Sequence, residues 1–149
     1  MRLSKRGEYG LRALILLAVK NEQGKNDVML QIKDISEEEN IPVKFLEQIM
    51  LTLKNGGLLQ SRKGSSGGYY LAKPAAEISL GQVVRLLDGP LAPVRCVSQM
   101  AYEPCGCPDE RTCGLRMAMG DVRNAIANIL DNTSLADVAG RVIKAKITT

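Results

Sequence analysis

Residues Ile32–Ala72 read IKDISEEENIPVKFLEQIMLTLKNGGLLQSRKGSSGGYYLA, and this run decides the fold. Ile32–Glu39 has the spacing of a short helix with Ile32 and Ile35 turned inward. Asn40 suits the left-handed residue that closes such a helix. Pro42 sits where a second helix begins, and there its missing N–H costs nothing. That helix is expected to reach Asn55, with Leu46, Ile49, Met50 and Leu53 on one face. Lys44, Phe45, Glu47, Gln48, Thr52 and Lys54 are left for the other face. Gly56-Gly57 ends it, and the period then changes to that of strands. Leu58–Lys63, a Gly64-Ser-Ser-Gly-Gly turn and Tyr69–Ala72 read as a hairpin closed by Pro74.

Helix, tight turn, helix and hairpin is an arrangement that lets the second helix enter a major groove by its N-terminal end. The hairpin carries Arg62 and Lys63 beside a tip of Gly and Ser. So small a tip lets backbone N–H groups and cations approach phosphate or a minor groove. The plainer alternative is a small helical domain in which the hairpin only connects.

Outward from this core, residues 5–21 read as a helix capped by Ser4, with Tyr9, Ala13, Leu14, Leu16, Leu17 and Ala18 as its apolar face. Gly24-Lys-Asn-Asp breaks it, and Val28-Met-Leu is a candidate short strand. On the other side, Ser79 starts a helix to Asp88 with Leu80, Val83, Val84 and Leu87 apolar. A loop from Gly89-Pro90 holds all four cysteines, Cys96 to Cys113. Leu115, Met119, Val122, Ile126, Ile129 and Leu130 then mark a long amphipathic helix, a stripe long enough to call for a twin helix and hence a homodimer. The expected class is mainly α with a small β-hairpin wing. Residues 1–75 form the winged helix-turn-helix, and 76–149 hold the cysteine loop and dimerisation helix.

Composition narrows the function. The 149 residues carry a net charge of +4, with 45% apolar residues and no Trp. Residues 1–75 hold twelve Lys/Arg against eight Asp/Glu, while residues 76–149 hold eight of each. The excess positive charge therefore lies in the half with the two-helix motif, as a polyanion partner would require. Leu11–Val19 comes nearest to a membrane span, but Arg12 interrupts it. The N-terminus lacks the apolar run of a secretory signal, so a cytoplasmic location is expected. Without any His, Ser–His and Cys–His nucleophiles are excluded. No phosphate-binding glycine motif precedes a helix, and Glu37–Glu39 is most simply a solvated helix face. An enzyme is not expected.

The cysteines follow the pattern Cys96-x8-Cys105-x-Cys107-x5-Cys113. In a reducing compartment such thiols point to metal or redox chemistry rather than structural disulfides. On a polar loop they are free to converge on an iron–sulfur cluster or a zinc ion. The spacing is not a zinc ribbon, since no C-x2-C pair occurs. Cys105-Gly-Cys107 is a tight bite, which leaves one of the two as a spare. Burial of all four as small apolar residues is the remaining alternative.

At this point the chain resembles, over nearly its whole length, the Rrf2 family of bacterial transcription regulators. The matching stretches are Met1-Arg-Leu-Ser-Lys with Tyr9-Gly-Leu-Arg-Ala, Ile41-Pro-Val-Lys-Phe-Leu-Glu-Gln, and Leu53-Lys-Asn-Gly-Gly-Leu. They continue in Arg62-Lys-Gly-Ser-Ser-Gly-Gly-Tyr, Ile78-Ser-Leu-Gly-Gln-Val and Asp131-Asn-Thr-Ser-Leu-Ala-Asp-Val. The resemblance implies a homodimer on double-stranded operator DNA, its long C-terminal helices crossed. It places Lys44, Phe45, Glu47 and Gln48 at the start of the recognition helix and Lys63 at the wing.

In cluster-binding members of that family, three loop cysteines hold iron. Cys107-x5-Cys113 matches the last two by spacing, and Cys96 matches the first by its place. Two departures stand out. Cys105 is extra, so either it or Cys107 is the middle ligand. The histidine ligand of the family's cluster-assembly regulator falls on Arg116, which cannot bind iron. The nitric-oxide sensor of the family borrows an aspartate from the partner subunit, and Glu8 occupies that position. The fourth ligand is thus Glu8 or the surplus cysteine. The expectation is an iron–sulfur cluster, 2Fe–2S in preference to 4Fe–4S, sensing iron, redox state or nitric oxide. The alternatives are a cluster-free regulator of the same family and a zinc-stabilised DNA-binding or adaptor domain.

Overall fold

Helix α1, Lys5–Gln23, is buried on more than one side in the computed structural model, which describes residues 2–24 and 28–149. Ala13, Leu14, Leu16, Leu17, Ala18 and Val19 are all buried. A band that wide must be covered by several neighbours. The Ser4 hydroxyl caps the helix by accepting from the Gly7 N–H at 2.9 Å. Beyond Gly24 the expected break lies outside the described residues. Of the expected Val28–Leu30 strand, Leu30 alone pairs, exchanging backbone bonds of 3.0 and 2.8 Å with Tyr69.

The motif that decides the fold takes the form expected. Helix α2 spans Ile32–Glu39 and ends at Asn40 in the left-handed region, φ 55°. Helix α3 spans Val43–Asn55, with Pro42 as its N-cap and Leu46, Ile49, Met50 and Leu53 buried. Strands β1, Leu59–Arg62, and β2, Gly68–Leu71, pair antiparallel from Leu59–Leu71 to Arg62–Gly68. Gly68 has φ 145°, and a Cβ there would stand 2.6 Å from the Leu30 carbonyl oxygen. Only glycine lets the Leu30 backbone join the hairpin. The Glu37–Glu39 run is not wholly a solvated face: Glu38 pairs with Lys20 at 3.1 Å and Glu39 with Arg12 at 3.2 Å. Both tie α2 to α1. Pairs this exposed contribute roughly 0–1 kcal/mol each, so they orient the helix more than they hold it.

Helix α4, Leu80–Asp88, opens with a capping box between Ser79 and Gln82. The cysteine loop leads to α5, Gly114–Asp131. Arg85 of α4 grips Asp131 at the end of α5 with two bonds of 2.5 and 2.9 Å. Each partner holds the other charged: the Arg85 pKa is raised and the Asp131 pKa lowered, chiefly by that hydrogen bonding. Gly81 makes the approach feasible, because a Cβ there would lie 2.0 Å from an Asp131 carboxylate oxygen.

The sequence reading stopped at Leu130, yet a further helix, α6, spans Leu135–Thr148. Ser134 and Asp137 form its capping box. Two backbone bonds of 2.9 Å, Leu80 N–H to Thr133 and Leu135 N–H to Ile78, stitch its start to that of α4. Leu135 and Ala139 are fully buried in one core with Leu14, Leu17, Leu53, Ile78 and Val83. That core runs without a break across residue 75. Truncating Leu135 to Ala should leave a cavity worth about 2–5 kcal/mol of stability. Urea unfolding of the variant checks this; a loss under about 1 kcal/mol would mean that α6 is a peripheral helix.

Candidate functional site

The recognition-helix candidates Lys44, Phe45, Glu47 and Gln48 are all exposed in the first turns of α3. This follows from the helical period: Leu46, Ile49 and Met50 take the inner face, so the residues between them point out. Arg62 and Lys63 are exposed at the end of β1 and the wing tip. The wing is braced from two sides. The Gln31 side-chain amide donates to the Ser65 carbonyl at 2.9 Å, and the Lys54 ammonium to the Ser61 hydroxyl at 2.7 Å.

Phe45 is less free than its neighbours. Its ring meets Tyr9 edge-on, centroids 5.5 Å apart, and the Arg12 guanidinium lies 5.6 Å from the Tyr9 ring. Phe45 therefore anchors the start of α3 to α1 as well as facing outward. Arg6, which the sequence reading did not single out, donates to the Thr52 hydroxyl at 3.0 Å. With Phe45, Gln48 and Thr52 it lines a shallow recess on the exposed side of α3. No spacing rule links residue 6 to residue 52; the fold alone adds this cation to the surface.

The cysteine loop brings its thiols together. Cys96 is buried in a short 3-10 turn, Arg95–Val97, while Cys105, Cys107 and Cys113 are half-buried, and all four are free thiols. Burial, then the neighbouring Cys105, pushes the Cys96 thiol up. The sulfurs of Cys107 and Cys113 lie 3.2 Å apart. Cys113 is the N-cap of α5, where its sulfur accepts from the Arg116 N–H at 3.5 Å. That backbone bond, then the Cys107 thiol, holds Cys113 below the ordinary thiol range. Hydrogen bonding with Cys105, then with Cys113, pushes the Cys107 thiol up to about 12.

Glu110 organises the rest of the loop. It accepts from the Tyr102 hydroxyl at 2.6 Å and from the Cys105 N–H at 3.3 Å. Tyr102 is thereby raised and Glu110 lowered. Arg116 reaches toward the same place: its charge favours the ionised forms of Cys96, Cys113, Glu110 and Tyr102, yet its buried Nε has no hydrogen-bond partner.

As arranged, the thiols bond to one another, and no three His, Cys, Asp or Glu side chains among the described residues form a preset ion cage. Glu8 is not among them; it pairs with Lys5 at 3.5 Å and Arg12 at 3.7 Å on its own helix. The Arg116 N–H at the start of α5 favours the Cys113 thiolate, which makes Cys113 the more reactive of the two. In metal-stripped protein at neutral pH, iodoacetamide should alkylate Cys113 well before Cys107, as peptide mass analysis would reveal. Equal rates would contradict this order.

Comparison with known proteins agrees with this geometry. A regulator of Rhodobacter capsulatus named as rrf2-like is 35% identical, over 91% of this chain and 91% of its own. The solved structure of CymR, the global cysteine regulator of Bacillus subtilis, superposes with a TM-score of 0.77 at 31% identity, covering 95% of this chain and 98% of that one. IscR of T. potens superposes with a TM-score of 0.74 at 26% identity, covering 97% and 90%. Both the mainly helical class and the hairpin wing are thus shared with solved regulators. The profile of the Rrf2 family, described as an iron-dependent transcriptional regulator, matches residues 3–141, and the chain belongs to that family.

Proposed function

We propose that this regulator is a homodimer that reads operator DNA with α3 and the wing, and that an iron–sulfur cluster in the Cys96–Cys113 loop controls its affinity. One observation carries the DNA reading: the exposed face of α3 and the braced wing present Lys44, Gln48, Arg62 and Lys63 from one continuous motif. Residues 1–75 do the reading, and 76–149 do the sensing and pairing. Lys44 and Lys63 supply charge to phosphates, whereas Glu47 and Gln48 have the donor and acceptor chemistry that base edges require. Arg6 joins them as a further phosphate contact. No helix among the described residues is long and apolar enough to cross a membrane; DNA in the cytoplasm is the partner this reading assigns.

The pairing surface is the outer face of α5. Leu115, Val122 and Ile129 recur every seventh residue and are 61%, 41% and 63% exposed. Ala118 and Ala125 fall between them, giving steps of three and four, the repeat of a helix seam. Its inner face is used already: Ala127 packs on Val84 and Leu91, with Ile126 and Leu130 against them. A second copy of the same helix fits the uncovered stripe.

The donor chemistry of the loop fits an iron–sulfur cluster. Four free thiols share the loop, the sulfurs of Cys107 and Cys113 lie 3.2 Å apart, and the buried Nε of Arg116 lacks an acceptor. Cys96, Cys113 and one or both of Cys105 and Cys107 would hold the group, which when bound would supply a centre sensitive to iron supply, oxygen or nitric oxide. The loop joins α4 to α5, so ordering it biases how the reading motif sits on the pairing helix. A member that works as a cysteine regulator, as CymR of B. subtilis is named, would need no cluster. The clustered thiols favour the cluster reading.

Gln48→Ala should cost about 1–3 kcal/mol of operator affinity and relax specificity. Lys63→Ala should weaken all sequences alike and lower the salt slope by about 1. Fluorescence anisotropy over a salt series measures both, and wild-type affinity in both variants would refute the docking. Ile129→Asp should sediment as a folded monomer, since it puts a charge in the seam without touching the core. A folded Ile129→Asp dimer would place the interface elsewhere. Ile126→Asp is the poorer test, because Ile126 packs inward.

A further inference from the structure

Four free thiols share one loop, and the sulfurs of Cys107 and Cys113 lie 3.2 Å apart. Cys105 is near enough to both Cys96 and Cys107 to raise each thiol. A 2Fe–2S cluster held by cysteines alone takes two thiolates on each iron, so four are what it requires. The chain has no histidine to offer, and the Arg116 guanidinium is the cation whose charge acts on Cys96 and Cys113.

The orphaned nitrogen of that guanidinium is the second observation. Arg116 lies in the first turn of α5, three residues after Cys113, with its Nε buried and unpartnered. A buried donor without an acceptor costs about 1–3 kcal/mol, more when charged. A thiolate-ligated cluster is net negative, and its sulfurs accept hydrogen bonds. An anion seated among Cys96, Cys105, Cys107 and Cys113 would supply what Arg116 lacks, and Arg116 would offset its charge. Glu110 stays outside the set, because Tyr102 and the Cys105 N–H occupy its carboxylate.

We infer that Cys105 would supply the fourth ligand of an all-cysteine site contained in one chain, beside Cys96, Cys107 and Cys113, with Arg116 as counter-cation. The inference rests on the cluster reading above and decides its ligand set. The four thiols release their protons on ligation. Glu8 of a partner subunit is then not needed, and its carboxylate remains with Lys5 and Arg12 on α1. Arg116 acts on the cluster as a fixed positive charge, which favours the reduced form and raises the midpoint potential.

The test uses the full-length protein, reconstituted without oxygen from ferric iron and sulfide. Wild type should gain iron, sulfide and visible absorption. Cys105→Ala should lose most of all three, while Glu8→Gln keeps them. Cys105→Ser, the more conservative variant, should give a shifted spectrum through oxygen ligation, and far-UV circular dichroism of the metal-stripped variants establishes that they fold. Arg116→Leu should move the midpoint potential to more negative values, and Arg116→Lys should restore it. If Cys105→Ala and Cys105→Ser keep the wild-type iron content and spectrum while Glu8→Gln loses them, the inference is overturned and the cluster reading stands. An unchanged potential in Arg116→Leu removes the counter-cation. Wild type that takes up no iron overturns inference and cluster reading together.

Discussion

The burial of α1 on several sides is the constraint on which the rest of the molecule depends. Because its apolar band is wider than one stripe, α1 is covered by α2, α3, α4 and α6 at once. Each of these helices inherits its orientation from that packing. The exposed face of α3 points outward because its inner residues, Leu46, Ile49 and Met50, are committed to the core with α1. The same helix carries Arg6 and Tyr9 to the exposed side of α3, so the surface we propose for DNA is built from α1 as well as from the two-helix motif.

A second consequence concerns transmission. The start of α6 is stitched to α4, and Arg85 of α4 holds Asp131 at the end of α5. Helix α5 is thus fixed to α4 at its C-terminal end by a bidentate ion pair. Its N-terminal end joins the cysteine loop, with Cys113 as N-cap and the Arg95–Val97 turn packed on the helix. A helix held firmly at one end and conditionally at the other is suited to a small change of angle. In the dimer we propose, two half-sites on DNA would demand a rigid spacing, so a small angular change between subunits would alter affinity. The loop would then need only to order or release the free end to act on both recognition helices.

The reading motif was legible because its signals are local: a left-handed Asn40, a helix-opening Pro42, the 3–4 spacing of Leu46 to Leu53, and a glycine turn. Helix α6 carried an equally local start in Ser134-Leu-Ala-Asp137, but this went unread; its small core residues and Gly140 make a weak stripe, and only the seat on α1 makes it a core element. The apolar stripe of α5 was legible as a whole but not in its division, since periodicity does not say that Ile126 and Leu130 face α4 while Leu115, Val122 and Ile129 remain uncovered. Contacts between distant residues were beyond the sequence: Arg6 with Thr52, Glu39 with Arg12, and the pairing of thiols within an irregular loop. The family resemblance marked Cys105 as surplus to a three-cysteine pattern. Only the fold shows it beside Cys96 and Cys107.

The account stands or falls on coupling between the cysteine loop and DNA. The direct measurement is the affinity of the cluster-loaded and metal-stripped dimers for one operator, selected from random duplex DNA, at a single salt concentration and without oxygen. Loading should change the dissociation constant by about 5- to 150-fold, the usual range for coupled sites, with both forms dimeric. Equal affinities for the two forms would contradict the account, leaving a DNA-binding protein whose thiols serve some other end.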